Sequence, residues 1–429
     1  MIIRAPVLGV LTWIWIALMN PQREVYGVLA GAGLNFIVAA LTIFAWAVSK
    51  ERKTAPTNLT LMILGLFVIW MCITTHFALV PVRANELFTR TMKTVVLLAA
   101  VACIANNKTR LQAIVWGVVV SLGYYGVKGG AFVIASGGNH RVLGPADSMI
   151  ADNNHLGLAL VMLLPLMNYL RATSQVRTVR LALIGAMVLT VGAILGTYSR
   201  GALLALACMG GLLALRSRAG ILFFIGGIGA AAVAPRFMPH AWLERMNSIG
   251  AADEDSSFMG RVSSWHTNFH IATERVTGGG FASSESTWVV QSFPTPGGLT
   301  EGLAAHSIYF QVIGDHGFIG IALFLGLLGS ALLNTVMVLN MTRGRPDLRW
   351  ANQLARMLQV SIIAYMVGGA ALSMAYYDGS LILIVLTAAL HYTVKRGAPE
   401  AAALQAGPKW KTLESDAPAL PRPTRPELT

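Results

Sequence analysis

The sequence predicts an all-α polytopic membrane protein with about twelve transmembrane helices. Two properties of the 429-residue chain support this fold class. Hydrophobic residues make up 55% of the chain and charged residues only 12%, which is about half the charged share of an average soluble domain; the mean hydropathy is +0.62. The apolar residues are also grouped in runs, most of them close to the length that crosses a bilayer.

The apolar runs follow one another along the whole chain, and the connections after the even-numbered runs are basic, as in residues 49–53 and 107–110. Because Lys and Arg are retained on the cytoplasmic side, this pattern predicts a multi-pass protein with both termini in the cytoplasm. The predicted spans are residues 6–20, 26–48, 59–80, 91–105, 111–135, 154–170, 181–198, 201–215, 220–234, 314–340, 353–374 and 380–394.

The net charge of +13 does not indicate a nucleic-acid-binding protein, because the basic residues lie in short clusters and no contiguous basic domain is present. Three regions are predicted instead. Residues 1–110 form an N-terminal transmembrane region, and residues 111–396 form a transmembrane core that includes a large external loop at 235–305. Residues 397–429 form a disordered cytoplasmic tail rich in Pro and Ala.

The external loop at 235–305 is far longer than the other connections, so function is expected there. It contains one clear helical pattern, since apolar residues from Val262 to Val276 recur at steps of three and four. Trp265 belongs to this apolar stripe. The pattern predicts an amphipathic helix that lies along the outer membrane face or caps a cavity.

Two external arginines stand out, because basic residues are biased to the other side of the membrane. Arg200 lies in a tight turn between two spans, and Arg261 follows Gly260 in the first turn of the predicted amphipathic helix. Each fits two interpretations. A guanidinium is a planar fork of donors suited to phosphate, but a lone arginine at a helix end also serves as a membrane anchor or a solvated loop residue.

His306 is the candidate general base, at the point where the long loop re-enters the membrane. A neutral imidazole accepts a proton near neutral pH. The competing interpretation is an interfacial histidine bonded to the backbone. Asp315 either orients a nearby base or caps the following span. The other histidines that compete for the role of base are His155, His266, His270 and His316.

The ordered set of motifs resembles the O-antigen ligase family, the polysaccharide polymerase/ligase superfamily, over residues 153–377. The motifs are Ser199-Arg200-Gly201-Ala202, Gly260-Arg261 with Trp265, Gly278-Gly279-Gly280-Phe281, His306-Ser307-x-Tyr309 and Gly314-x-x-Gly317-x-x-Gly320. Two positions depart from the family, which often has Asn and Glu where this chain has Ser307 and Asp315. The first hundred residues also resemble the N-terminal region of exosortase-associated O-glycosylation ligases.

This resemblance implies a GT-C-like glycosyltransferase in the bacterial inner membrane. It would move a glycan from undecaprenyl pyrophosphate to an acceptor hydroxyl, of lipid A-core or another glycan, on the periplasmic face among membrane lipids. It implies inversion at the anomeric carbon, no cofactor and no metal. His306 would be the base. Arg200 and Arg261, helped by Arg141, Arg275 or Arg83, would bind the pyrophosphate, with Tyr309, Asp315 and Trp265 in support.

Other functions remain compatible with the same residues. The nearest is an O-antigen or exopolysaccharide polymerase, or a protein O-oligosaccharyltransferase, of the same superfamily. A lipid-linked oligosaccharide transporter is disfavoured, because few ionisable residues lie within the spans and the candidates cluster outside them. A structural scaffold is the remaining alternative, if the external arginines are only anchors.

Overall fold

The structure, a computed structural model, describes residues 5–24, 33–49, 57–215, 256–296 and 298–405, with isolated positions between 216 and 255. These residues form thirteen α-helices and no β-strand. The helices are α1 Pro6–Met19, α2 Leu34–Val48, α3 Leu59–His76, α4 Pro81–Ile104, α5 Lys108–Ser136, α6 Asn153–Thr173, α7 Arg177–Gly196, α8 Arg200–Ala214, α9 Ser256–Glu274, α10 Thr287–Ser292, α11 Ile308–Met341, α12 Arg349–Gly369 and α13 Asp378–Gln405.

The all-helical prediction is confirmed for the described residues, whereas the predicted number of twelve spans is not confirmed. Seven described helices are long and apolar enough to cross a membrane: α3, α4, α5, α6, α7, α11 and α13. The helices α1, α2 and α8 are apolar but shorter. The predicted span at 220–234, the loop segment 235–255 and the tail beyond residue 405 lie largely outside the described residues.

The helix starts follow from short-range chemistry. Pro6 and Pro81 occupy the first positions of α1 and α4, where a missing N–H and a fixed φ cost nothing. The side chains of Asn58, Asn107, Asp152 and Ser199 each accept a hydrogen bond from a backbone N–H in the first turn of the helix that follows. Asp152 is therefore the capping residue of α6.

The centre of the bundle is formed by α6 and α13, whose apolar windows are 78% and 72% buried, compared with 28% for α7. The helices α5 and α7 approach closely through small residues. A side chain at Gly130 would come within 2.2 Å of the Leu189 carbonyl oxygen. Inside a bilayer the hydrophobic effect does not drive helices together, so membrane helices associate through close van der Waals contact of this kind.

The two ends of the bundle carry different polar contacts. At one end, Asn334 on α11 donates to the side chains of Asn58 and Thr60 at 3.3 and 2.8 Å. At the other end, the chain between α9 and α11 folds against the end of α3, where the Leu79 N–H donates to the Gly279 carbonyl at 2.8 Å. We call this second end the His306 end.

Candidate active site

The His306 end is organised by a break in α11 at Gly317, whose φ of 66° and ψ of −169° are non-helical. A break deprives the preceding carbonyls of their usual helical donors. Those carbonyls receive other donors: Gly279 N–H donates to Gly314 at 2.8 Å and Gly280 N–H donates to Asp315 at 2.9 Å. The Trp70 indole N–H donates to the backbone carbonyl of His316 at 2.8 Å. The two glycine motifs of the sequence therefore fit together in one contact.

The side chain of Asp315 fixes two further segments to the break in α11. One carboxylate oxygen accepts the Ala282 N–H at 2.8 Å, and the other accepts the Tyr376 hydroxyl at 2.9 Å. Asp315 is only 3% exposed, so both partners are needed to offset the cost of burying it. Ala282 adopts a left-handed φ of 54°. Asp315 thus holds a strained turn and does not act as a helix cap.

The neighbouring His316 is fully buried. Its Nδ1 lies 2.7 Å from the Thr74 hydroxyl, and its ring meets Phe67, Phe281 and Tyr376 edge to face. Its Nε2 has no hydrogen-bond partner among the described residues. These contacts make His316 part of the packing between α3 and α11, so it is a poor candidate for the base.

Helix α9 contacts the segment just before α11 through the side chains of Trp265 and Ser264. Trp265 donates its indole N–H to the Ala305 carbonyl at 3.0 Å, and Ser264 donates to the Ala304 carbonyl at 3.0 Å. The Trp265 ring stacks on Phe310, with centroids 5.2 Å apart and an interplanar angle of 7°. These contacts fix the residues immediately before His306.

The amphipathic helix is present, but its buried face differs from the predicted one. Ser264, Thr267 and Asn268 are buried, whereas Phe269 of the apolar stripe is 47% exposed. The reason is steric, because α9 packs where Gly314 leaves room for Asn268; a side chain at Gly314 would lie 1.8 Å from the Asn268 Oδ1 atom. The small polar residues of α9 therefore face the protein, and the ring of Phe269 faces outward.

His306 has an unusual backbone conformation, with a φ of 48°. This left-handed region is costly for a residue with a side chain, and such strain concentrates at functional sites. Its N–H donates to the Ser373 hydroxyl at 2.7 Å. Ser373 lies in the connection between α12 and α13, so three separate segments determine where the imidazole sits.

The imidazole of His306 lies among charged groups. Burial lowers its pKa below the usual value, and the positive charges of Arg261 and of protonated His155 lower it further, while Asp152 raises it. A histidine with a lowered pKa stays neutral at neutral pH and retains an acceptor nitrogen. The structure therefore brings Arg261, His155 and Asp152 together around His306.

Arg261 lies on α9, one turn before Trp265, on the side that meets the His306 segment. The sequence placed Arg261 in the first turn of its helix, and this was wrong. Because α9 extends back to Ser256, the Arg261 N–H lies within the helical hydrogen-bonding pattern and is not an open donor.

Arg200 is the first residue of α8, in the tight turn that the sequence predicted. Asn153 on α6 donates to the Thr197 carbonyl at 2.6 Å. On the other side, a Cβ at Gly201 would lie 3.9 Å from the Ala371 Cβ. Ala371 is two residues from Ser373, which holds His306. The turn of Arg200 therefore adjoins both segments that surround the imidazole.

Three other predicted residues make contacts of a different kind. The Arg141 guanidinium lies over the Tyr198 ring, 5.8 Å from its centroid. Arg275 donates to the carbonyls of Gly278 and Phe77 at 3.0 and 2.8 Å, which favours a structural role between α9 and α3. Tyr309 donates to the Met366 carbonyl on α12 at 2.9 Å. None of these contacts includes His306.

Comparisons with known proteins bear on the same part of the chain. Residues 185–325 match the family model described as O-antigen ligase. We refer to residues 185–325 as the O-antigen ligase domain, after the model that they match. Residues 1–175 match a second model, described only as a family of unknown function. A search of curated proteins found no significant match to the chain.

The O-antigen ligase domain contains Arg200, Arg261, His306 and Asp315. Members of this family are membrane ligases or polymerases of glycosyltransferase type, which agrees with the apolar helices of a multi-pass membrane protein. In the part of the chain that the structure describes, no group of three or more His, Cys, Asp or Glu residues is arranged to hold a metal ion.

Sequence reasoning missed several residues that contact the candidate site residues His306 and Asp315. Ser373 and Tyr376 lie far along the chain from the residues they contact, in a connection with no motif. His155 was considered only as a rival base. The signal that was available is composition, because the short connection between α12 and α13 contains Ser373, Tyr376 and Tyr377 and is followed at once by Asp378.

Proposed function

We propose that the protein is a membrane glycosyltransferase of O-antigen ligase type. It transfers a glycan from undecaprenyl pyrophosphate to an acceptor hydroxyl of lipid A-core, on the periplasmic face of the inner membrane. The observation that carries this proposal is the placement of Arg261 beside the half-buried, backbone-strained His306, inside an O-antigen ligase family domain. A cation and a neutral base at one point are what transfer from a diphosphate requires.

The proposed reaction has a simple balance. His306 takes the proton from the attacking hydroxyl, and that oxygen forms a bond to the anomeric carbon. The bond from the anomeric carbon to the phosphate oxygen breaks, and its electron pair leaves with the pyrophosphate. The configuration inverts because the attack is direct. The pyrophosphate is already a good anion, so the developing charge needs cations more than a proton donor.

Arg200 and Arg261 are the proposed pyrophosphate ligands, with Arg141 in a secondary position. They come from three different segments, and a bound diphosphate would connect α8, α9 and the loop before α6. The polyprenyl chain stays in lipid. Both termini are proposed to be cytoplasmic, because the described basic connections at 107–110, 171–177 and 343–349 lie at the end of the bundle opposite His306. The GT-C-like arrangement stays a prediction.

The test uses purified protein, a labelled undecaprenyl-pyrophosphate-linked glycan and lipid A-core in detergent. We expect His306→Ala and Arg261→Ala to lower transfer at least a hundredfold, because removal of a base or a charge-stabilising donor has effects of this order. Arg177→Gln is the matched control, since Arg177 is exposed at the start of α7. Full activity in either site variant would remove that residue from the mechanism.

A second arm of the same experiment identifies the acceptor. With donor alone, a ligase should leave the length of the donor glycan unchanged. Lengthening of that glycan would assign the protein to the polymerases of the family. Detergent leaves no second compartment, so label transferred to lipid A-core also excludes a pure transporter.

A further inference from the structure

A large open cavity lies beside the candidate active site, in a part of the fold that the proposed mechanism does not use. It has a volume of about 960 Å³ and lies between the end of α1, the first half of α4, the loop at 147–150 and the pair Tyr377–Asp378. Ligand sites in proteins have volumes of about 300–1,000 Å³. The cavity therefore accommodates an organic ligand of several rings, and it is much too large for a single ion.

The lining of this cavity is polar. Seven of its 22 lining residues are charged and eight are uncharged amide or hydroxyl residues. A lipid chain would leave these groups without partners, at a cost for each. A hydroxyl-rich ligand would satisfy them, because every sugar hydroxyl both donates and accepts a hydrogen bond. The lining residue Tyr377 has a buried hydroxyl with no partner among the described residues.

One face of α4 supplies most of the charge. Arg83, Glu86, Arg90 and Lys93 recur at steps of three and four, so they share one side of the helix. Such a charged stripe on a membrane helix needs water or a polar ligand beside it. The sequence predicted that this span starts at residue 91, whereas α4 begins ten residues earlier, at Pro81. The additional turns form the wall of the cavity.

The charges are unevenly paired. Arg23 contacts Asp147 at 3.3 Å, and Arg83 contacts Glu86 at 2.9 Å. The remaining lining acid, Asp378, accepts the Thr94 hydroxyl at 2.6 Å and lies within electrostatic reach of Arg90. Lys93 is exposed on the same face. Arg83 also contacts Glu285 at 3.6 Å, so the positive charge of the cavity is concentrated at Arg90 and Lys93, which share one lining acid, Asp378.

The cavity adjoins the surroundings of His306 through two segments. Ile150 lines the cavity, and Asp152, two residues later, is one of the charges around His306. Tyr377 lines the cavity, and Ser373, four residues earlier, accepts the His306 N–H. An extended chain spans at most about 3.6 Å per residue, so these pairs lie within about 7 and 14 Å of each other.

We propose that this cavity binds the acceptor glycan, and that Arg90 and Lys93 hold an acidic substituent, such as a phosphate, on that glycan. The acceptor role rests on the proposed function. The donor and the acceptor must approach His306 from different sides. The proposed donor ligands Arg200 and Arg261 lie in the O-antigen ligase domain, whereas most of the cavity wall lies within residues 1–175, which match the second family model.

The first experiment measures binding without turnover. The probe is a phosphorylated core oligosaccharide released from lipopolysaccharide by deacylation, titrated by calorimetry against the full-length protein in detergent. We expect Lys93→Gln and the double variant Arg90→Gln/Lys93→Gln to weaken binding at least tenfold, and enzymatic removal of the phosphates from the probe to have a similar effect. Arg177→Gln, an exposed cation on α7, should bind as the wild type does.

The second experiment measures transfer. The same Lys93 variants should raise the KM for the acceptor at least tenfold, with kcat and the KM for the donor changed less than twofold. A variant that folds, as judged by an unchanged melting temperature, and retains wild-type acceptor KM and binding would overturn the proposal. Competition by glycerophosphoglycerol at equal concentration would also overturn it, because the site would then hold a lipid headgroup.

These outcomes separate the two proposals. His306→Ala should abolish transfer and retain binding of the oligosaccharide. If the wild type binds the probe through Lys93 but transfers nothing to lipid A-core, the proposed function fails and the glycan site stands. If transfer depends on His306 while Lys93 affects neither binding nor KM, the cavity proposal fails alone.

Discussion

The Trp265 indole N–H lies 3.0 Å from the carbonyl oxygen of Ala305, the residue immediately before His306. Helix α9 thereby reaches across to the segment that carries the proposed base, and Arg261 lies one turn away on the same helix. One side chain therefore sets the distance between the proposed base and the proposed phosphate ligand.

The first prediction concerns this hydrogen bond. Trp265→Phe retains a ring to stack on Phe310 and removes the donor. We expect the free energy of unfolding to fall by about 1 kcal/mol, because the Ser264 contact with Ala304 remains. We expect kcat to fall about tenfold, since small displacements of a catalytic group have large effects on rate. A transfer assay at saturating donor measures this.

The control is Trp288→Phe, since Trp288 is 51% exposed on α10. It should leave both stability and kcat unchanged. Equal kcat in Trp265→Phe and the wild type would mean that the indole N–H does not position His306.

The second prediction concerns the contact between α9 and α11. A Cβ at Gly314 would lie 1.8 Å from the Asn268 Oδ1 atom, whereas a Cβ at Gly329 on the same helix meets no atom within 4 Å. Gly314→Ala should therefore lower the free energy of unfolding by roughly 1–3 kcal/mol. Gly329→Ala should raise it by up to about 1 kcal/mol, because alanine favours the helix. Thermal unfolding in detergent compares the two.

A double-mutant cycle identifies the partner. If the clash is with Asn268, the variant Gly314→Ala/Asn268→Ala should be less destabilised than the sum of its single changes. Additive changes would place the steric conflict elsewhere.

The same contact shows what the sequence determines and what it does not. Hydropathy runs predicted the apolar helices, because this feature depends on residues that are close together in the sequence. The break at Gly317 and the polar buried face of α9 were not predicted. They depend on Gly279, Gly280 and Trp70 approaching α11 from distant parts of the chain, and no periodicity encodes such pairings.

For the site, the sequence identified Arg200, Arg261 and His306 by their external position and by family resemblance. It did not find Ser373 or Tyr376, since each contacts its partner across more than sixty residues, 67 and 61 respectively. The roles of all these residues stay predictions until they are tested by substitution.

The third prediction concerns pH. Burial and the charges of Arg261 and His155 lower the pKa of His306, and Asp152 opposes them. Transfer requires neutral His306, so activity should be lost as the pH falls through this lowered pKa. Asp152→Asn removes the opposing charge and retains the helix cap. The acid limb of the kcat profile should therefore move to lower pH.

The control for this charge is Asp347→Asn, because Asp347 is exposed and pairs with Arg345 before α12. Its acid limb should coincide with that of the wild type. An acid limb in Asp152→Asn that is unchanged or moved to higher pH would contradict the assignment of His306 as the titrating base.

The fourth prediction concerns Asp315, which stands where the family often has Glu. Its carboxylate is 3% exposed and already accepts hydrogen bonds at 2.8 and 2.9 Å. Asp315→Glu would force an additional methylene into this space, and the free energy of unfolding should fall by roughly 1–3 kcal/mol. Tyr376→Phe should cost a similar amount, because a buried carboxylate oxygen loses its donor.

Tyr392→Phe on α13 is the matched control for the loss of a phenol hydroxyl, and it should leave the melting temperature unchanged. A Tyr376→Phe variant as stable as the wild type would show that the hydrogen bond to Asp315 contributes nothing measurable. An Asp315→Glu variant with wild-type stability would show that the pocket relaxes to accept the glutamate.

The fifth prediction uses the backbone of His306 itself, with its φ of 48°. Left-handed backbone costs a residue with a side chain roughly 1–2 kcal/mol, and glycine avoids this cost. His306→Gly should therefore unfold at a higher temperature than His306→Ala, although neither variant transfers glycan. At Leu204, an exposed position within α8, the order should reverse, with Leu204→Gly less stable than Leu204→Ala by about 1 kcal/mol. The same order at both positions would mean that His306 is not held in the left-handed conformation. Both His306 variants lack the imidazole and differ only in the Cβ atom. A reversed order of stability would therefore measure the backbone strain at position 306 independently of the proton transfer that is proposed for the imidazole.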